Sequence, residues 1–274
     1  MTLSVLAALV AVGLLVGFVS GLIGIGGGVL IVPFLYFFYA HASWSGAAVA
    51  PELEAAVAHA TSLAVIVPTG LRGAWSGHKR DMVAWKAALP IALAAVLAAV
   101  VGARLALILP PQVLKAAFGL LLVAAGANLF LEGRADSDGV LKLDTWRVVV
   151  TGVAVGLFSA LLGVGGGIIA IPLLLYLVHL DLRRVAATSL AVIALTALAG
   201  ATTYALSGID TAGRPEGSLG FVHVAAAVPM LVGSVLSVPL GAWVNRRMPL
   251  RALRWMFGVV FVVLGARLLW QNLL

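Results

Sequence analysis

The chain has 274 residues, of which 63% are hydrophobic and only 10% charged, with a mean hydropathy of +1.16. Soluble domains are about 45–50% apolar, so this composition excludes a soluble globular protein and points to a polytopic membrane protein. The formal charge of +7 does not imply a nucleic-acid partner, because the basic residues sit in short segments between apolar stretches, and the absence of Cys excludes disulfides and thiolate metal sites.

In chain order, residues 3–24 form a first apolar arm, and residues 29–39 a second and shorter one. The first Lys or Arg is Arg72, so the leading stretch lacks the positive region of a cleaved signal peptide and is expected to persist. Gly24, Gly26, Gly27 and Gly28 stand between the arms, and each Gly disfavours helix by about 1 kcal/mol, so the helix breaks there. A break inside a bilayer needs protein or a water-filled cavity around its freed backbone groups, which makes it a candidate site. At about 1.5 Å per residue the second arm reaches only about 17 Å, against about 30 Å of hydrocarbon, so it cannot cross alone. Ordinary spans follow at 57–75, 83–109 and 112–131, and the polar run 132–144 leads into the second half. There, arms 146–163 and 168–178 and spans 185–206, 221–244 and 250–269 repeat the order. The expected units are a membrane repeat over 1–132, a cytoplasmic linker over 133–145 and a second repeat over 146–274.

The repetition extends to residues. Aligning 17–36 with 156–175 gives nine identities in twenty, and TSLAVI at 61–66 recurs at 188–193. Counting Lys and Arg then sets the topology. If each Gly-broken segment is a hairpin that returns to its own side, thirteen cations fall on one side and only Arg104, Lys115, Arg214 and Arg267 on the other. The positive-inside rule favours that arrangement, with both termini outside the cytoplasm. Each half holds one re-entrant hairpin and three crossings, an odd number, so the fold expected is an all-α polytopic membrane protein of two inverted repeats. Inverted repeats with discontinuous helices are characteristic of secondary transporters that bind substrate near the midplane.

A helix N-terminus carries about half a positive charge, so the backbone N–H groups after Gly26, Gly27, Gly28 and after Gly165, Gly166, Gly167 could hold an anion without a formal cation. Ser20 and Ser159 stand one turn before Gly24 and Gly163, and Thr61, Ser62, Thr188 and Ser189 offer hydroxyls from the next helix. These residues form the candidate substrate site. A Cβ at Gly27 or Gly166 is expected to fill space an oxyanion needs. The alternative is that Gly serves only close helix packing, as the four-residue spacing of Gly13, Gly17 and Gly21 suggests, and that the hydroxyls bond back to carbonyls. All ten carboxylates fall in loops or at span ends, which excludes the usual carboxylate relay of a cation-coupled pump. His59 is the one histidine placed to titrate near the site. Arg72 and Arg104 are vestibule candidates, with snorkelling to the interface as the alternative.

With GLIGIGGGVLIVPFL near the start, GLFSALLGVGGGIIAIPLLL after mid-chain and the doubled TSLAVI, the sequence resembles the sulfite exporter TauE/SafE family over essentially its whole length. The resemblance implies a bacterial inner-membrane permease for sulfite, sulfoacetate or related organosulfonate anions. It places the family's motif on Gly24, Gly26, Gly27 and Gly28 and on Gly163, Gly165, Gly166 and Gly167. The expectation is a non-enzymatic transporter without metal or cofactor, whose partners are the lipid bilayer and a small anion, with a homo-oligomer left open. The competing reading is a non-transporting membrane scaffold or assembly protein.

Overall fold

The computed structural model describes residues 2–131, 141–245, 247 and 250–273. Arg134, Arg246 and residues 133–140 of the expected linker lie outside the described residues. The elements are helices α1 (Leu3–Ile23), α2 (Gly28–Ala40), α3 (Ala42–Ser45), α4 (Glu54–His78), α5 (Trp85–Ile108), α6 (Pro111–Leu131), α7 (Thr145–Leu162) and α8 (Gly167–Pro172). They continue with α9 (Leu182–Ser207), strands β1 (Ser218–Leu219) and β2 (Val222–His223), and helices α10 (Val224–Asn245) and α11 (Leu250–Leu273). Six of the helices, α1, α4, α5, α7, α9 and α10, are long and apolar enough to cross a membrane, and shorter apolar helices accompany them. The protein is therefore helical as expected, with one addition, the two-residue antiparallel pair β1–β2.

Both arms break where the glycines predict. The second arm of the later half is less regular than expected: α8 ends at Pro172, whose missing N–H cannot continue the ladder, and the chain goes on through a π-helical turn over Leu173–Leu177. The segment read as a loop over 41–56 holds α3 and the first turn of α4.

Without a hydrophobic drive between helices in lipid, small residues decide which helices touch. On α1, Gly13, Gly17 and Gly21 lie against Met230, Ser234 and Val238 of α10, and in return Gly233 and Gly241 of α10 lie against Val10 and Phe18. The second half repeats the device: Gly152 and Gly156 of α7 meet Ile91 and Ala95 of α5, and Gly102 of α5 meets Leu157. Numbers rise together along both pairs, so α1 runs parallel to α10 and α7 parallel to α5. At the centre, Gly70, Gly73 and Gly77 of α4 meet Ala194, Leu190 and Ala187 of α9, while Gly200 meets Leu63, so α4 and α9 run antiparallel. Gly119 faces Gly265 and Gly126 faces Gly258, which pairs α6 with α11 in the same antiparallel sense. Each hairpin's first arm thus packs on a helix of the other half, and the α4–α9 pair sits between.

Outward faces carry Leu93, Leu97, Val101, Leu236 and Leu240, as a lipid solvent requires. Three cation–aromatic pairs mark helix ends: Lys79 over Trp75, Arg147 over Trp146, and Arg247 over Trp243. At the opposite end, the loop after α9 is closed by Arg214, which donates to the carbonyls of Thr211, Ile209 and Gly220. That loop meets the one before α4 through Ala50 N–H donating to the Gly213 carbonyl, 3.0 Å.

Candidate anion site

The two glycine breaks have the same local geometry. Gly24 and Gly163 end α1 and α7 in the left-handed region, at φ +85° and +67°, with their N–H groups bonded back to the carbonyls of Ser20 and Ser159. Gly26, Gly27, Gly165 and Gly166 also have positive φ, between +78° and +85°, a conformation that costs about 1–2 kcal/mol for a residue with a Cβ. The chain reverses there and starts the second arm with its N–H groups free. The first bonds of the new helices come from Leu30 and Ile31 to Gly27, and from Ile169 and Ala170 to Gly166. The N–H groups from Ile25 to Val29 and from Gly165 to Ile168 have no acceptor among the described residues.

The breaks from the two halves meet. A methyl group at Gly28 would stand 2.6 Å from the Val164 backbone, and one at Gly167 would strike the Ile25 backbone. Gly26 and Gly165 face one shared wall, Ile66 and Ile193, the last residues of the two TSLAVI copies. Gly24 packs on Ala186 and Gly163 on His59. The two breaks therefore meet along the α4–α9 pair, with Gly26 and Gly165 at its middle and Gly24 and Gly163 towards its two ends.

The expected hydroxyls divide into two groups. Ser62 Oγ donates to the Gly163 carbonyl, 2.7 Å, and Ser189 Oγ donates to the Gly24 carbonyl, 3.2 Å, so each satisfies the end of the opposite half's first arm. Thr61 Oγ1 accepts from His223 N–H and Thr188 Oγ1 from Ala84 N–H, both 3.0 Å. These four are buried and committed to holding the fold. Ser20 and Ser159 differ: both are fully buried and neither Oγ has a partner among the described residues. An unmatched buried hydroxyl costs about 1–3 kcal/mol on mutational scales, so two at equivalent positions beside free N–H groups call for an explanation.

Packing corrects one sequence expectation and bears on a second. The space beside Gly27 and Gly166 is filled by Val16 and Val155 of their own first arms, so a Cβ there would collide with the hairpin itself rather than with an oxyanion. Arg72 and Arg104 are exposed on α4 and α5. That placement matches the snorkelling alternative.

His59 is fully buried beside the second break, and its Nε2 lies 2.6 Å from Tyr36 OH. Sequence reasoning missed Tyr36, and with it the ion pair of Lys115 and Glu54, 2.8 Å, whose ammonium lies 5.1 Å from the Tyr36 ring centroid. The signal was available: in the repeat register Tyr36 aligns with Leu175 and His59 with Ala186, polar against apolar.

Long apolar helices, paired glycine breaks and a buried polar centre describe a multi-pass membrane transporter. The sulfite exporter TauE/SafE family matches over residues 9–268, and the chain belongs to that family. It is 27% identical to a probable membrane transporter protein of Haemophilus influenzae, over 93% of this chain and 94% of the relative. A probable membrane transporter protein of Methanocaldococcus jannaschii is 29% identical, over 96% and 95% of the two chains. One of Bacillus subtilis is 26% identical over 97% of each. No solved structure matches the chain.

Proposed function

We propose that the protein is a secondary transporter of small oxyanions, of the sulfite, sulfoacetate and organosulfonate class, working by alternating access between two inverted repeats over 1–132 and 146–274. The observation that carries this reading is the pair of unpartnered buried hydroxyls, Ser20 and Ser159, beside two runs of free N–H groups. Such donors suit an acceptor with several oxygens, and the cradle of successive N–H groups supplies positive potential without a buried cation. The substrate site comprises Ser20, Gly24, Gly26, Gly27, Gly28, Ser159, Gly163, Gly165, Gly166 and Gly167. Thr61, Ser62, Thr188 and Ser189 hold its walls. The two breaks abut in this conformation, so the anion enters as they part.

The inverted arrangement is supported by the antiparallel run of α4 against α9 and α6 against α11, and by the exchange of first arms between halves. The Trp-associated cations Lys79, Arg147 and Arg247 all belong to the thirteen-cation side, which we assign to the cytoplasm of a bacterial inner membrane, with both termini outside. A monovalent anion leaving a cell at about 100 mV, negative inside, gains about 2.3 kcal/mol, enough to drive export without a coupled cation.

The test is ligand-dependent stability of the purified protein across sulfite, sulfoacetate, methanesulfonate, acetate and chloride. A specific site raises the apparent melting temperature with anion concentration by mass action. Identical melting in every anion would leave the packing-only scaffold as the better reading.

A further inference from the structure

The Tyr36–His59 pair exists in one half only. Ala186 backs Gly24 just as His59 backs Gly163, so the packing at this position needs no more than alanine. The imidazole is a chemical addition, and its Cδ2 edge lies 3.1 Å from where a Gly163 methyl group would stand.

Hydrogen-bond roles are constrained. Tyr36 OH has no other partner among the described residues, so in the neutral pair it donates to His59 Nε2 and the ring hydrogen sits on Nδ1. Nδ1 is buried without a hydrogen-bond partner among the described residues. A protonated ring would donate from both nitrogens, reverse the bond to Tyr36 and leave the phenol proton without an acceptor. Protonation and reversal of the Tyr36 bond are therefore one event.

The groups around the pair are few. From α6 comes Lys115, paired with Glu54 at the start of α4; from α9 comes Tyr204, bonded to the Ala160 carbonyl; and the Tyr39–His223 pair lies beside Thr61. The α9 arginines, Arg183 and Arg184, sit at the opposite end of that helix, and α1 and α10 carry no titratable side chain. On α7 the one titratable side chain, Arg147, is held at the far end by Asp144 and the Leu177 carbonyl. A polar line thus runs from the half-buried Lys115–Glu54 pair through Tyr36 to His59 and ends at the second glycine break. The other half has Leu175 and Ala186 in place of its two inner members.

We propose that His59 is a proton-binding site coupled to the anion site and open to one side of the protein, the side of Tyr36 and the Lys115–Glu54 pair. It rests on the anion-site reading. A proton on His59 places positive charge beside Gly163, two residues before the free N–H groups of Gly165 to Ile168, so it strengthens anion binding there. By linkage, a bound anion strengthens proton binding by the same factor. The proton then sets the affinity of the site for a fully ionised anion from this side and need not cross with it.

The experiment uses the purified full-length protein and methanesulfonate, whose charge is constant between pH 5 and 8, with sulfoacetate as a second probe. The expected result is tighter binding at pH 5.5 than at pH 7.5 by about 5- to 150-fold, the usual range of site–site coupling, with proton uptake on binding in weak buffer. His59→Ala and Tyr36→Leu install the residues of the second half. His59→Ala should flatten the pH profile and abolish proton uptake, and Tyr36→Leu should displace the profile. Wild-type binding that does not change with pH, or a His59→Ala variant that keeps both the profile and the uptake, would overturn the proton site. If His59→Ala does not fold, an undisplaced Tyr36→Leu profile overturns it instead. Failure of every anion to stabilise the wild type at either pH defeats the anion site itself, an outcome distinct from stabilisation that is merely independent of pH.

Discussion

Four serines of identical chemistry and burial should respond to the same substitution in opposite ways. Ser62 and Ser189 each donate to a helix-ending carbonyl of the other half. Removing one such hydroxyl strands a buried C=O, which costs about 1–3 kcal/mol. Ser62→Ala and Ser189→Ala are therefore expected to lower stability by that amount. Ser20 and Ser159 have no partner to strand among the described residues, and their burial is itself unfavourable by about 1–3 kcal/mol, so Ser20→Ala and Ser159→Ala should leave the apo protein as stable as before or more so. Their loss should appear in the anion. One hydrogen bond to a charged acceptor contributes about 1.5–3 kcal/mol, or about 10- to 150-fold in affinity. The assay is an apo melt and an anion titration for all four variants. Destabilisation by Ser20→Ala with unchanged anion affinity would refute the assignment and return these hydroxyls to packing.

Glycine positions separate in the same way. Gly27→Ala meets both a left-handed backbone and Val16, and Gly17→Ala would drive Ser234 away from α1, so both should destabilise by more than about 1 kcal/mol, measurable by thermal or denaturant unfolding. Gly46→Ala, with φ +67° and nothing within 4 Å, should register only the backbone term of about 1–2 kcal/mol. Ser43→Cys and Arg183→Cys, both exposed in a Cys-free chain, should react with a membrane-impermeant thiol reagent from opposite sides. Reaction from the same side would remove the hairpin topology. Burial lowers the His223 pKa to about 4 from its ordinary 6.5. The unfolded chain therefore takes up this proton first, and stability should fall as pH drops below 6.5 towards 4. His223→Gln should weaken that fall in a pH series of unfolding curves.

The helical membrane class, the arm-and-span order and the position of both breaks were legible in the sequence, because bilayer length and Gly propensity act locally. Residue-level duplication also told which positions would correspond, and Gly24 with Gly163 indeed occupy equivalent places. What the sequence could not tell was partner choice. Ser20 and Ser62 read alike as small hydroxyls near a break, yet Ser62 reaches a carbonyl 101 residues away while Ser20 reaches none, and only the crossing of the halves decides this. The role of Gly27 was misjudged for a similar reason. Its neighbour Val16 lies eleven positions back on the same hairpin, a contact that depends on how tightly the two arms fold together. The Tyr36–His59 pair was hidden in a difference between repeats rather than in a shared motif.

The most direct measurement of transport is the current across proteoliposomes on a solid support after a sulfite or sulfoacetate jump, compared between wild type and the Ser20→Ala/Ser159→Ala double variant. The wild type should pass an anion-dependent, saturable current that chloride does not reproduce, and the folded double variant should need a much higher concentration to reach half of it. No current in the wild type with any oxyanion, or a double variant of unchanged concentration dependence, would contradict an anion site at the glycine breaks.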